Sequence, residues 1–275
     1  MKADIAFGQY CEGNSFLHRL DPRWKIIFTI FYIVTIFLAK NIFAFALLLL
    51  SAVLLALSSR IKPSILIRGM KPLLFIIAFT AIINIFWLKG ERLLVDFWII
   101  RIYLEGIINA LLIVTRVLLL VVGTSVILSY TTTPIALTDG IERLLSPLAK
   151  IKLPVHEFSM MMTIALRFIP TLIEETDKIM SAQKARGADF STGSIIKRAK
   201  ALVPVLVPLF VSAFRRAEEL ALAMECRCYT GGEGRTRMNV LHSSWRDALM
   251  AGLLCVLCAG VIVLNRLGFV YNLSM

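Results

Sequence analysis

The sequence predicts an all-α protein: a polytopic membrane bundle of about five transmembrane helices with a charged helical domain, containing two long helices, on the cytoplasmic side. Three observations predict it. Of 275 residues, 58% are hydrophobic and 17% charged, and the mean hydropathy is +0.80; a soluble domain has about 45–50% apolar and about 25% charged residues. Apolar runs near the length of a bilayer crossing recur along the chain. The one long interruption, residues 129–246, holds 16 Lys and Arg and 11 Asp and Glu, over half the charge of the chain, set out at helical period.

The net charge of +12 in so apolar a chain points to cations at a membrane surface rather than to nucleic acid. Five scattered cysteines do not make a disulfide scaffold. Asp4, Glu12 and Asp21 precede the first apolar run, which argues against a secretory leader.

Residues 24–57 form one apolar stretch broken at Lys40 and Asn41. At about 1.5 Å per residue this is too long for a single ~30 Å crossing, so two helices are expected, at 24–39 and 42–57. A third span is expected at 72–88 and a fourth at 105–128, which carries Arg116. The last lies at 248–264. Residues 1–128 thus read as a membrane domain, 129–246 as a cytoplasmic or interfacial helical domain, and 247–275 as the closing transmembrane segment.

The cations set the orientation. Lys2, Arg19, Arg23, Lys25, Arg60, Lys62, Arg68, Lys71, Arg235, Arg237 and Arg246 fall on one side; Lys40, Lys89, Arg92, Arg101 and Arg266 fall on the other. The positive-inside rule places the N-terminus in the cytoplasm and the C-terminus outside.

Within the insert, Thr131, Thr132, Thr133 and Pro134 form a helix-start signal, and a short amphipathic helix is expected over 134–149. After Pro154, the residues Phe158, Met161, Met162, Ala165, Ile169, Leu172, Ile173 and Met180 recur on one face of a long helix, kinked at Pro170 and ended by Gly187. A second long helix is expected over about 194–226, apolar through Pro204, Leu206, Pro208 and Phe210, then charged from Arg215. Both finish on an arginine between small residues: Ala185, Arg186, Gly187 in one, Cys226, Arg227, Cys228 in the other. A single arginine there needs no more than the helix dipole to explain it. Two such ends in one insert suggest a pair of fingers, each offering a planar five-donor fork to a partner's carboxylate or carbonyl groups.

At these residues the chain resembles the transmembrane T component of energy-coupling factor (ECF) transporters, ATP-driven importers of vitamins and micronutrients. The resemblance covers nearly the whole chain. It is carried by Asp4-Ile5-Ala6-Phe7-Gly8-Gln9-Tyr10, His18-Arg19-Leu20-Asp21-Pro22-Arg23 and Ala165-Leu166-Arg167-Phe168-Ile169-Pro170. Ala182-Gln183-Lys184-Ala185-Arg186-Gly187, Arg216-Ala217-Glu218-Glu219-Leu220-Ala221 and Gly234-Arg235-Thr236-Arg237 continue it. The N-terminal stretch is similar to the shared, group II type more than to the cobalt- or nickel-dedicated type.

The resemblance implies a non-catalytic coupling subunit in a bacterial cell membrane, with no cofactor of its own. Two partner ATPases, which use ATP and Mg, each receive one tip: Ala185, Arg186 and Gly187, or Cys226, Arg227 and Cys228. The apolar faces, with Phe158, Met161, Met162, Ala165, Ile169, Leu206 and Phe210 as candidates, meet a membrane-embedded, substrate-binding S component. The family's second motif is usually Ala-Arg-Gly. Here Cys228 replaces its glycine and lacks glycine's ease in the left-handed region, so the helix is expected to run on towards Gly231.

The alternative function is an ion-coupled secondary transporter acting alone, but no internal repeat of the matching-halves kind is visible. Three histidines, none inside a span, and no paired intramembrane carboxylates argue against an enzyme. No phosphate-binding loop of the ATPase type occurs. The spacings Cys226-x-Cys228 and Cys255-x-x-Cys258, with no histidine nearby in sequence, argue against metal. The run Met160, Met161 and Met162 reads equally as core and as an adaptable surface for several S components. Asp21, Arg23, Asn84 and Arg116 are the polar residues assigned structural roles. For Arg116, binding carbonyls or a polar group such as Asn84 is favoured over an ion relay.

Overall fold

A computed structural model describes residues 10–87, 93–97, 100–147, 154–190, 192, 194–231 and 241–266. The motifs at 4–9 and 234–237, and the topology-setting cations Lys2, Lys89, Arg92, Arg235 and Arg237, lie outside the described residues. The helices are α1 (Pro22–Leu38), α2 (Ile42–Ser59), α3 (Pro63–Trp87), α4 (Leu104–Thr124), α5 (Pro134–Leu145), α6 (Val155–Ala185), α7 (Ile195–Cys226) and α8 (Trp245–Arg266). One short antiparallel hairpin, β1 (Leu93–Phe97) and β2 (Ile100–Tyr103), interrupts this all-helical plan between α3 and α4.

The chain divides into two compact units, one of residues 1–141 with 240–275 and the other of residues 142–239. The division falls inside α5 rather than at 129, where the charge of the insert begins.

In the first unit α4 packs against α1, α2 and α3, while α8 packs against α1 and α2. Tyr32 and Ile36 of α1, Leu48 of α2, Val126 and Ile127 beyond α4, and Leu254 and Val261 of α8 are buried where these helices meet. The outer surface is the reverse of a soluble protein's. Phe37, Leu57, Phe75, Phe79 and Val256 point outward, as helices in hydrocarbon allow because their backbone groups are bonded internally. Among the described residues, four helical stretches have the length and apolarity to cross a bilayer: Ile42–Ser59, Pro63–Phe86, Gly106–Ser129 and Trp245–Arg266. α1, at 17 residues, sits at the lower end of the crossing range.

The ends of these helices follow local chemistry. Asp21 caps α1, its side chain accepting from the Arg23 amide, with Pro22 as the first helical residue. Thr133 caps α5 in the same way, its hydroxyl accepting from Ala136 N at 3.3 Å. α3 begins nine residues before the expected span, so Arg68 and Lys71, read as loop residues, are helical, and Pro72 lies inside the helix. Pro63 at the first turn supplies the start signal. α4 continues into a single π-helical turn, Ser125–Ser129, closed by Tyr130 N donating to Ser125 O at 2.8 Å.

In the second unit α6 and α7 lie against each other. Ile164, Phe168 and Leu172 of α6 and Ala213, Ala217 and Leu220 of α7 line their seam, and Arg216 Nη2 donates to Glu175 Oε2 at 2.8 Å beside it. His156 Nδ1 lies 3.0 Å from Glu142 Oε1, joining the start of α6 to the end of α5.

Candidate functional site: two matched arginine tips

The two long helices end in the same local structure. At the end of α6, Gly187 N donates to Lys184 O and Ala188 N to Gln183 O, both at 3.0 Å. At the end of α7, Cys228 N donates to Glu225 O at 2.8 Å and Tyr229 N to Met224 O at 3.1 Å. Each pair of bonds is a Schellman closure, which satisfies carbonyls that a helix end otherwise leaves open. The closure needs a left-handed residue just past the cap. Gly187 takes it at φ 86° and Cys228 at φ 54°. Arg186 and Arg227 occupy the identical C-cap position, at φ −85°, ψ 6° and φ −93°, ψ 14°. Both side chains are exposed, as are Ala185 and Cys226.

This corrects the expectation that α7 runs on towards Gly231. The helix stops at Cys226 and cysteine itself enters the left-handed region. Two closing hydrogen bonds offset the strain of about 1–2 kcal/mol that a Cβ incurs there. The two tips should therefore respond oppositely to substitution. Gly187→Ala should destabilise the end of α6 by about 1 kcal/mol through the backbone alone, since a Cβ at Gly187 would meet nothing within 4 Å. Cys228→Gly should tighten the end of α7 by up to about 1 kcal/mol. Hydrogen exchange of the last turn of each helix reads both; equal signs at the two sites would contradict the strain argument.

The apolar face of α6 splits in two. Leu172 turns into the seam with α7, whereas Phe158, Met161, Met162 and Ala165 stay exposed and Ile169 is half-buried. Leu206 and Phe210 of α7 are likewise exposed, at 49% and 62%. The seam residues Ile164 and Phe168 lie one position off the periodic set, so a face defined only by apolarity mixed packed and open residues.

The polar candidates fall in the first unit. Arg116 Nη2 donates to Ala39 O at 3.1 Å, the carbonyl at the end of α1, and its guanidinium lies over the Phe45 ring at 5.3 Å. Its partner is thus a carbonyl and not Asn84, whose amide donates to Thr80 O one turn back. Arg116→Leu should cost stability and recovery of the protein by about 1–3 kcal/mol through the orphaned Ala39 carbonyl and the lost ring contact. Intact stability with altered ion dependence would contradict that role. Asp21 and Arg23 form an ion pair at 2.6 Å. Three residues beside them escaped the sequence reading: Trp24, Lys25 and Asp247. Lys25 counted as a surface cation, yet its side chain is buried; the available signal was its place inside the first turn of an apolar helix.

A bundle with an apolar exterior and a second unit whose two long helices end in exposed, identically closed arginine tips defines a polytopic helical membrane protein. Residues 13–240 match the family model CbiQ, described as cobalt transport protein. A protein of Ruminiclostridium cellulolyticum named energy-coupling factor transporter transmembrane protein EcfT is 52% identical over 98% of this chain and 100% of its own length. Proteins of that name from Clostridium kluyveri and Bacillus subtilis are 48% and 46% identical, covering 97% and 94% of this chain and 98% and 97% of their own lengths. The chain belongs to this family: it is a multi-pass transmembrane component of an ECF transporter.

Proposed function

We propose that the chain is the non-catalytic coupling subunit of an ATP-driven importer of vitamins or other micronutrients. In this reading two cytoplasmic ATPases, which bind ATP and Mg themselves, each receive one arginine tip. Their closing and opening shifts α6 and α7. The exposed apolar residues Phe158, Met161, Met162 and Ala165 of α6 and Leu206 and Phe210 of α7 pass that motion to a membrane-embedded S component that holds the substrate.

The observation that carries the reading is the match between the tips. Two helices of different sequence reach the same Schellman closure with arginine at the same position, one of them at the expense of a strained cysteine. A helix end needs only a glycine to stop; holding a guanidinium in one fixed presentation explains why both ends converge. Purification from the native membrane tests it. Two ATPase chains and a small membrane protein should co-purify, and recovery of this chain alone would refute the proposal. The same reading places the insert and the N-terminus in the cytoplasm, so a reporter fused to the C-terminus should read outside; a cytoplasmic signal would overturn that topology.

A further inference from the structure

The first turn of α1 holds the chain at both places where it connects to the insert. Five consecutive residues take part. Lys25 is 1% exposed, and its ammonium donates to Thr131 O at 2.8 Å and Thr132 Oγ1 at 3.2 Å, two to three residues before α5 starts. Arg23 Nη2 donates to Leu241 O at 3.1 Å, and Trp24 Nε1 to Ser243 Oγ at 3.1 Å, where the chain returns towards α8. Asp21 N donates to Asp247 Oδ1 at 3.0 Å, and the other oxygen of that buried carboxylate accepts from Ser244 N at 2.7 Å. Asp21 and Pro22 set the turn itself, with the Asp21 carboxylate also fixing the Arg23 guanidinium.

Helix packing does not require this. A lysine buried at the start of an apolar helix is costly unless its donors are met, and a leucine would fill the same space. Its partners are backbone and hydroxyl groups of the outgoing connection, while its sequence neighbours grip the returning one. A moving element transmits displacement only if its root is held; slack in either connection would absorb it.

We propose that residues 21–25 are the fixed base of the coupling unit: Lys25 pins the outgoing connection, Arg23 and Trp24 pin the returning one, and both stay closed while the insert moves. This rests on the coupling function proposed above. The residues are positioning residues, acting through the connections rather than on any substrate.

Hydrogen exchange on the full chain in its purified complex tests the proposal. The hydrogen-bonded amides of segments 130–133 and 241–247, Tyr130, Thr132, Ser244 and Asp247, should be protected from exchange, and equally so with and without ATP. Lys25→Met should speed exchange at 130–133 about ten-fold, make it ATP-dependent, and leave 241–247 and ATPase recovery unchanged. Trp24→Phe and Arg23→Lys should loosen 241–247 instead, leaving 130–133 protected, and Lys25→Arg should restore much of the protection. Exchange in the wild type that rises on adding ATP, or protection untouched by Lys25→Met, would overturn the proposal. So would loosening of both segments by either class of variant, which is what general destabilisation produces. If no ATPase co-purifies, the coupling reading fails by that result, whereas the nucleotide-free exchange pattern reports on the clamp separately.

Discussion

Replacing Arg186 and Arg227 together by alanine should abolish ATP-dependent uptake and strip the ATPases from the purified complex. Each guanidinium is exposed at a helix end with no ion-pair partner of its own among the described residues, so neither substitution removes an internal bond that the fold needs. At the centre of a docking groove each arginine is worth about 2 kcal/mol or more, roughly a thirty-fold loss of affinity per tip. The single variants should then retain weakened complexes and the double variant none, with the melting behaviour of the chain unchanged. Arg186→Lys should behave nearly as badly as Arg186→Ala, because an ammonium keeps the charge but not the two-pronged geometry. Normal recovery of ATPases and normal transport in the double variant would remove the functional assignment.

The largest effect on the fold itself should come from Gly123→Ala. A Cβ built on Gly123 lies 2.1 Å from Cε1 of Tyr32 and 2.9 Å from two further ring atoms. Tyr32 is fully buried between α1 and its neighbours and has nowhere to turn. Relief demands separation of α1 from α4, which would also disturb the packing of both helices. Overpacking of this kind costs about 3 kcal/mol and occasionally more. A marked fall in melting temperature and in yield from detergent is expected. The pair Gly123→Ala with Tyr32→Ala should lose less than the sum of its single variants, since the ring that clashes is gone. An unchanged melting temperature in Gly123→Ala would show that the α1–α4 contact is looser than described.

Much of this fold is legible in the sequence. Hydropathy and period are local properties, so α2, α4, α6, α7 and α8 were legible to within a few residues, and the Asp21-Pro22 and Thr133-Pro134 starts could be named from capping chemistry. The arginine tips were legible for the same reason: a helix end is encoded within about six residues. α3 was cut short because Arg68, Lys71 and Pro72 look like a break, although a long helix tolerates all three. The hairpin between α3 and α4 was invisible, as its strands carry no more than a short apolar alternation. The periodic face of α6 was legible as a face, but not its division into a packed part and an open part.

Composition, period and end signals are enough to say that this chain is a helical membrane protein with an arginine-ended pair of long helices. They could not say that Cys228 would accept a left-handed backbone to reproduce the glycine closure, nor that Lys25 would be buried and hold Thr131 and Thr132. Those outcomes depend on groups that are remote in sequence, or on a balance of strain against hydrogen bonds that closes only when the partners are in place. Pattern lies in neighbours along the chain; the clamp and the α1–α4 contact exist only between residues about a hundred or more positions apart, and folding alone brings these together.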